Sequence, residues 1–135
     1  MKEIQKFTQA CFMLPNGKYV LQRRTKDAPH SAGMLGFFGG WVDKDESPDD
    51  CIKREISEER SLEINKLKIS LVKDYVIPGT KEFINERHFF LYKVPISDFT
   101  FKVYEGDGAE SYTLEELKLR NDLISSTYYA IHNYL

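Results

Sequence analysis

Residues 39–62 read GGWVDKDESPDDCIKREISEERSL, a stretch in which acidic side chains crowd around a few apolar ones. Ser47-Pro48-Asp49-Asp50 has the marks of a helix start. A hydroxyl stands at the N-cap, a proline with its φ already set takes the first helical position, and carboxylates sit beside the positive end of the dipole. A helix is expected to run from there to about Arg60. On a wheel of about 100° per residue, Asp49, Asp50, Lys53, Arg54, Ser57 and Arg60 form the wet side, while Cys51, Ile52, Ile56 and Leu62 form the apolar one. Glu55, Glu58 and Glu59 fall within or beside the apolar sector. A carboxylate turned away from water must be protonated, paired or given a cation, because desolvating it alone is costly. The i, i+3, i+4 spacing gathers these three on neighbouring turns of one face, a compact set of hard oxygens of the kind magnesium binds. A solvated acidic face is the plainer alternative and stays open on these residues alone. An EF-hand loop does not fit, since a loop begun at Asp43 would place Pro48 where glycine is needed and Arg54 where a bidentate glutamate is needed.

The rest of the chain limits what such a site can serve. At 135 residues it matches one domain, 1–135, long enough to bury a core, and 41% hydrophobic content is that of an ordinary globular chain. A net charge of −2 argues against a nucleic-acid polymer gripped through its phosphates. Cys11 and Cys51 are too few and too far apart for a disulfide framework or a structural zinc site, which suits a reducing cytoplasm. The opening MKEIQKFTQACFML is interrupted by Lys, Glu and Gln, so neither a signal peptide nor a membrane span is expected.

Residues 4–14 and 18–23 are β-prone runs joined by Pro15-Asn16-Gly17, where Asn-Gly suggests a tight hairpin with positive φ angles. Thr25 to Gly40 reads as loop, with Phe37 and Phe38 as a short strand into the glycine pair. Lys66–Ile77 and Arg87–Val94 alternate like strands, and Thr100–Tyr104 is a further short candidate. Tyr112–Leu117 reads as a brief strand and helical turn, and a last helix is expected over Ser125–Tyr134. These elements predict an α/β protein of mixed α+β type, with helices packed on a mixed sheet.

Gly40, five residues, Glu46, seven residues, then Arg54-Glu55-Ile56-Ser57-Glu58-Glu59-Arg60-Ser61-Leu62 resembles the signature of the Nudix hydrolase superfamily, G-x5-E-x7-R-E-U-x-E-E-x-G-U with U a bulky aliphatic. Every charged position matches. Ser61 departs from the family glycine, which puts the helix-ending turn in question, and Phe38 stands where many members have proline. His30-Ser31-Ala32-Gly33-Met34-Leu35-Gly36-Phe37-Phe38-Gly39-Gly40 is similar to the approach to the box in the MutT branch. Glu105-Gly106-Asp107-Gly108-Ala109-Glu110-Ser111-Tyr112-Thr113-Leu114 more loosely resembles that branch's E-G-x3-E-W-x-S-L stretch, with Glu105 at the position of a further metal-linked or catalytic glutamate.

The resemblance implies a Nudix-type α/β/α sandwich that hydrolyses the pyrophosphate bond of a nucleoside diphosphate linked to another group, with Mg²⁺ or Mn²⁺. A (d)NTP or modified NTP is the first substrate expectation. A nucleotide sugar or dinucleotide, and a catalytically silent nucleotide-sensing module, are the rivals. By the same resemblance Glu55, Glu58, Glu59 and Glu105 are metal ligands, completed by a backbone carbonyl of Gly39 or Gly40, and Glu55 or Glu105 is the base. Arg54 orients a box carboxylate or forms a surface pair with Glu58. Glu46 serves the box loop or is a simple exposed acid. Of Arg23 and Arg24, only one can face substrate phosphate, and Arg24 is favoured. Phe37 lines the base pocket or packs in the core. Asn121 and Asp122 read a base edge or, as the better expectation, cap the last helix. His30, His88 and His132 show no metal spacing. The partner expected is a small nucleotide, with no nucleic-acid polymer and no membrane, bound by a monomer or homodimer.

Overall fold

The structure, a computed structural model, describes residues 4–59, 67–78, 86–97 and 108–135. Strands β1 (Ile4–Met13) and β2 (Tyr19–Arg23) form the expected hairpin. Its turn differs in detail from the Asn-Gly expectation. Gly17 alone takes a positive φ, 84°, while Asn16 contributes through its side chain, whose Oδ1 accepts from Lys18 N at 3.0 Å. β3 is Leu35–Gly36, displaced from the Phe37-Phe38 strand suggested by the sequence. It pairs with β2, whereas Phe38 makes an isolated bridge to Ala10 of β1.

Helix α1 covers Pro48–Glu59. Ser47 Oγ accepts from Asp50 N at 3.1 Å, the N-cap bond anticipated from the sequence and worth about 1 kcal/mol. β4 (Ser70–Ile77) starts a few residues later than the alternation indicated, and β5 (Glu86–Pro95) is close to expectation. β6 (Ala109–Tyr112), α2 (Leu114–Lys118) and α3 (Ser125–Tyr134) complete the chain. The Thr100–Tyr104 candidate lies outside the described residues.

The strands make one mixed sheet in the order β3-β2-β1-β5-β4, with β6 also paired to β2. β1 and β5 run parallel over ten residue pairs, and the other ladders are antiparallel. The two-residue period of the central strands separates two cores. Ala10 and Phe12 of β1, Val20 of β2, and Tyr92 and Val94 of β5 meet Ile52 and Ile56 of α1 on one face. Cys11, Leu21, Phe89 and Leu91 turn to the other, where Leu117 of α2 and Ala130 and Ile131 of α3 cover them. A mixed sheet flanked by helices on both faces is the layered arrangement expected. No helix among the described residues is long and apolar enough to cross a membrane.

Candidate active site

The segment after β3 runs antiparallel along the first half of β1. Ala10 N donates to Phe38 O at 2.6 Å, Thr8 N to Gly40 O at 2.9 Å and Val42 N to Lys6 O at 2.9 Å. Gly39 has φ 155°, and a Cβ there would be driven into the carbonyl of Thr8. At Gly40 the space a Cβ would fill belongs to the Glu55 carboxylate, with Cδ at 2.5 Å and Oε2 at 3.1 Å from the Cβ position. The two glycines thus do different things: one lets two backbones touch, the other makes room for an acid.

Glu55 is 7% exposed, in the apolar sector where the helical wheel put it, between the buried Cys51, Ile52 and Ile56. Arg54 Nη1 lies 3.5 Å from Glu55 Oε1. The same guanidinium clasps Glu46 through two bonds, Nε to Oε2 at 2.8 Å and Nη2 to Oε1 at 2.9 Å, a bidentate geometry that fixes direction as well as distance. Glu46 Oε1 also accepts from Asp43 N at 3.0 Å. The Arg54 guanidinium, followed by that backbone bond, holds the Glu46 carboxyl down at about 2. Glu46 is therefore a brace for the box loop rather than a simple exposed acid. Arg54 Nη2 and Cys51 Sγ both donate to Trp41 O, at 3.4 and 3.3 Å, and burial pushes the Cys51 thiol up to about 11.

Glu58 and Glu59 fall in the last turn of α1, but their side chains, and Glu105 entirely, lie outside the described residues. The expected four-glutamate set is thus represented by Glu55, and the Arg54–Glu58 alternative falls on a side chain that is not described.

Arg23 sits at the end of β2 and is committed within the protein. Nε and Nη2 meet Glu110 at 2.7 and 2.8 Å, and Nη1 meets Asp122 at 2.8 Å and Gly33 O at 3.1 Å. Arg120 binds Asp122 from the other side, through Nε and Nη2 at 2.8 and 2.7 Å. These guanidinium groups hold Glu110 and Asp122 below their ordinary ranges. The expectation that Asp122 or Asn121 caps the last helix is overturned. Asn121 is exposed, α3 begins at Ser125, and its N-cap is Ile124, with no side-chain cap bond. Asp122 serves instead as the bridge between Arg23 and Arg120. Arg24 Nε donates to His30 O at 2.8 Å. Phe37 is half-buried against the α3-side core and its N–H donates to Thr127 Oγ1 at 3.3 Å, which favours the packing role. His88 stacks on Phe90 and lies 3.3 Å from Asp74 on the outer strands. The Arg23–Glu110–Asp122–Arg120 network escaped sequence reasoning because its members carry no local pattern.

A family model described as the NUDIX domain matches residues 6–133. No curated protein matches. Solved structures do. A Deinococcus radiodurans protein superposes with a TM-score of 0.80 at 18% identity, covering 96% of this chain and 82% of its own. The MutT protein of Methanosarcina mazei Go1 gives 0.77 at 18% identity, covering 97% and 94%. A MutT NUDIX hydrolase from Burkholderia pseudomallei gives 0.75 at 21% identity, covering 97% and 98%.

Proposed function

This chain belongs to the NUDIX family of hydrolases, and on that premise we propose that it cleaves the pyrophosphate bond of a nucleoside diphosphate linked to another group. A nucleoside triphosphate, canonical base or modified, giving monophosphate and pyrophosphate is the leading substrate. Residues 1–135 act as one domain, in the cytoplasm. The observation that carries this reading is the buried Glu55 carboxylate seated in the cradle of Gly40 and braced by the Arg54–Glu46 clamp. A carboxylate so placed, in a segment matching a signature rich in glutamates, fits a hard divalent cation.

Nudix hydrolases generally use a divalent metal. Here Glu55, Glu58, Glu59 and Glu105, with the carbonyl of Gly39, would hold Mg²⁺, or Mn²⁺ in its place. Once bound, the cation supplies charge neutralisation for the polyphosphate and polarises its phosphorus–oxygen bonds. Glu55 or Glu105 accepts the proton of the attacking water. Arg54 keeps Glu55 and the box loop in register through Glu46. Arg24 is the arginine left for a substrate phosphate, since Arg23 is engaged with Glu110 and Asp122.

The test is product analysis on a panel of nucleoside triphosphates, nucleotide sugars and dinucleotides with added magnesium. Turnover of a triphosphate at the α–β bond, reduced about 10²–10⁴-fold by Glu59→Gln or Glu55→Gln, is expected. Absence of metal-dependent turnover across the whole panel would refute the proposal.

A further inference from the structure

Four rings lie in one row across the sheet on the face that α3 packs against. The row follows from the register: Trp41 bridges Phe7, Phe7 pairs with Phe89, and Phe89 pairs with Tyr75. Directly paired residues point to the same side. The ring centroids are 5.1 Å apart for Trp41–Phe7 at 72°, 5.2 Å for Phe7–Phe89 at 20°, and 5.3 Å for Phe89–Tyr75 at 18°. One end of the row is covered, because Tyr129 and Tyr134 of α3 pack on Tyr75 at 5.4 and 5.2 Å. Phe89 and Tyr75 are buried accordingly. The other end is open: Trp41 is 60% exposed.

The backbone that presents the Trp41 ring is anchored. Its carbonyl is held by Cys51 and Arg54, and the residues on either side are tied to β1 through the Thr8–Gly40 and Lys6–Val42 bonds. An indole that stands mostly in water forgoes a large share of the apolar burial that such a side chain normally contributes. Gly40, one residue away, turns to the opposite, α1 face, where the Glu55 carboxylate rests, so the indole and that carboxylate flank one segment from its two sides. A flat ring stacked on the indole would leave a polyphosphate attached to it where this segment passes into the box loop.

We infer that Trp41 is a substrate-binding residue, the platform on which the base of the nucleotide stacks. The inference rests on the nucleotide-hydrolase reading and adds to it the group that recognises the base. Stacking is sequence-tolerant, because every base has a π-face, and truncating an aromatic platform to alanine typically weakens binding roughly fivefold to a hundredfold.

Trp41 is the sole tryptophan of the chain, so emission excited beyond tyrosine absorption reports on it alone. The probes are α,β-methylene analogues of ATP, GTP, CTP and UTP, which carry a base but resist cleavage at that bond, and inorganic triphosphate, which has the charge without the ring. At least one nucleotide analogue is expected to change Trp41 emission saturably, and triphosphate to leave it unchanged. By calorimetry, Trp41→Ala should weaken that analogue roughly fivefold to a hundredfold while Trp41→Phe restores most of the loss. An emission change produced equally by triphosphate, or one that follows protein concentration alone, overturns the inference, as does unaltered affinity in Trp41→Ala. The two claims separate cleanly. A wild-type enzyme that cleaves nucleotides while Trp41→Ala shows the same KM leaves the hydrolase reading standing and removes this one. Ring-dependent binding without any turnover does the reverse.

Discussion

Substituting the paired glycines one at a time should yield two distinct failures. In Gly39→Ala the new methyl group is forced into the Thr8 carbonyl, with Thr8 C at 2.8 Å and Gln9 Cα at 3.2 Å, all of it backbone of a central strand that cannot step aside. Non-glycine strain at φ 155° costs about 1–3 kcal/mol and overpacking a further 1–3 kcal/mol, so a loss of roughly 2–6 kcal/mol is expected. For a chain of this size that is a fall in Tm of about 6–24 °C. In Gly40→Ala the atoms nearest the methyl group are all those of the Glu55 carboxylate, the end of a side chain, which must shift. Stability should fall by no more than about 1–3 kcal/mol. The displaced carboxylate, however, should lower kcat/KM by about 10²-fold, the usual consequence of a 1 Å misplacement at a reacting centre. Thermal unfolding by circular dichroism and pyrophosphate release on the best substrate measure the two effects. Gly40→Ala retaining activity within about threefold, or Gly39→Ala melting with the wild type, would refute the division of labour between the two positions.

Arg54→Lys keeps the charge but loses the two-pronged grip on Glu46, and should reduce kcat/KM at least tenfold with little change in Tm, measured side by side on purified protein. The Glu46 carboxyl is depressed from 4.5 to about 2, so its contribution to stability is complete above the ordinary glutamate range and disappears as pH falls toward 2. The difference in urea midpoint between wild type and Glu46→Gln should therefore shrink on acidification below pH 4.5, and a difference independent of pH would contradict the clamp. Arg23→Ala leaves Glu110 and Asp122 without their shared partner and should destabilise by about 1–2 kcal/mol in denaturant titration, discounted for their partial exposure. Arg24→Ala should leave that stability in place and raise KM, and an unchanged KM would remove Arg24 from the phosphate site.

What could be read from the chain beforehand was whatever depended on neighbours. The limits of α1 followed from Ser47 and Pro48 and from the spacing of Cys51, Ile52 and Ile56, and the same periodicity exposed Glu55 as an acid on the wrong face. The Asn16-Gly17 hairpin was legible, its turn geometry less so, since Asn16 bonds through its side chain instead of adopting a positive φ. β3 was misplaced onto Phe37-Phe38 because two apolar residues have no measurable period. There the path is set by hydrogen bonds to β1 and β2 rather than by local preference. The Arg54–Glu46 clamp was foreshadowed by the signature spacing, but its bidentate form needed coordinates. The Arg23 network was beyond reach altogether: its partners lie 87 and 99 residues further along, and nothing local distinguishes Asp122 from a helix cap.

The parallel ladder between β1 and β5 sets a schedule for synthesis. Ile4 pairs with Glu86 and Met13 with Pro95, so β1, once made, waits for about eighty further residues before that edge is closed. Such long-range closure slows folding and leaves a β-prone edge transiently open to other chains. Until Pro95 has emerged from the ribosomal tunnel, the nascent chain holds the β1–β2 hairpin and the acidic helix without the strand that completes the centre of the sheet. It should then be most prone to aggregate and most dependent on chaperones.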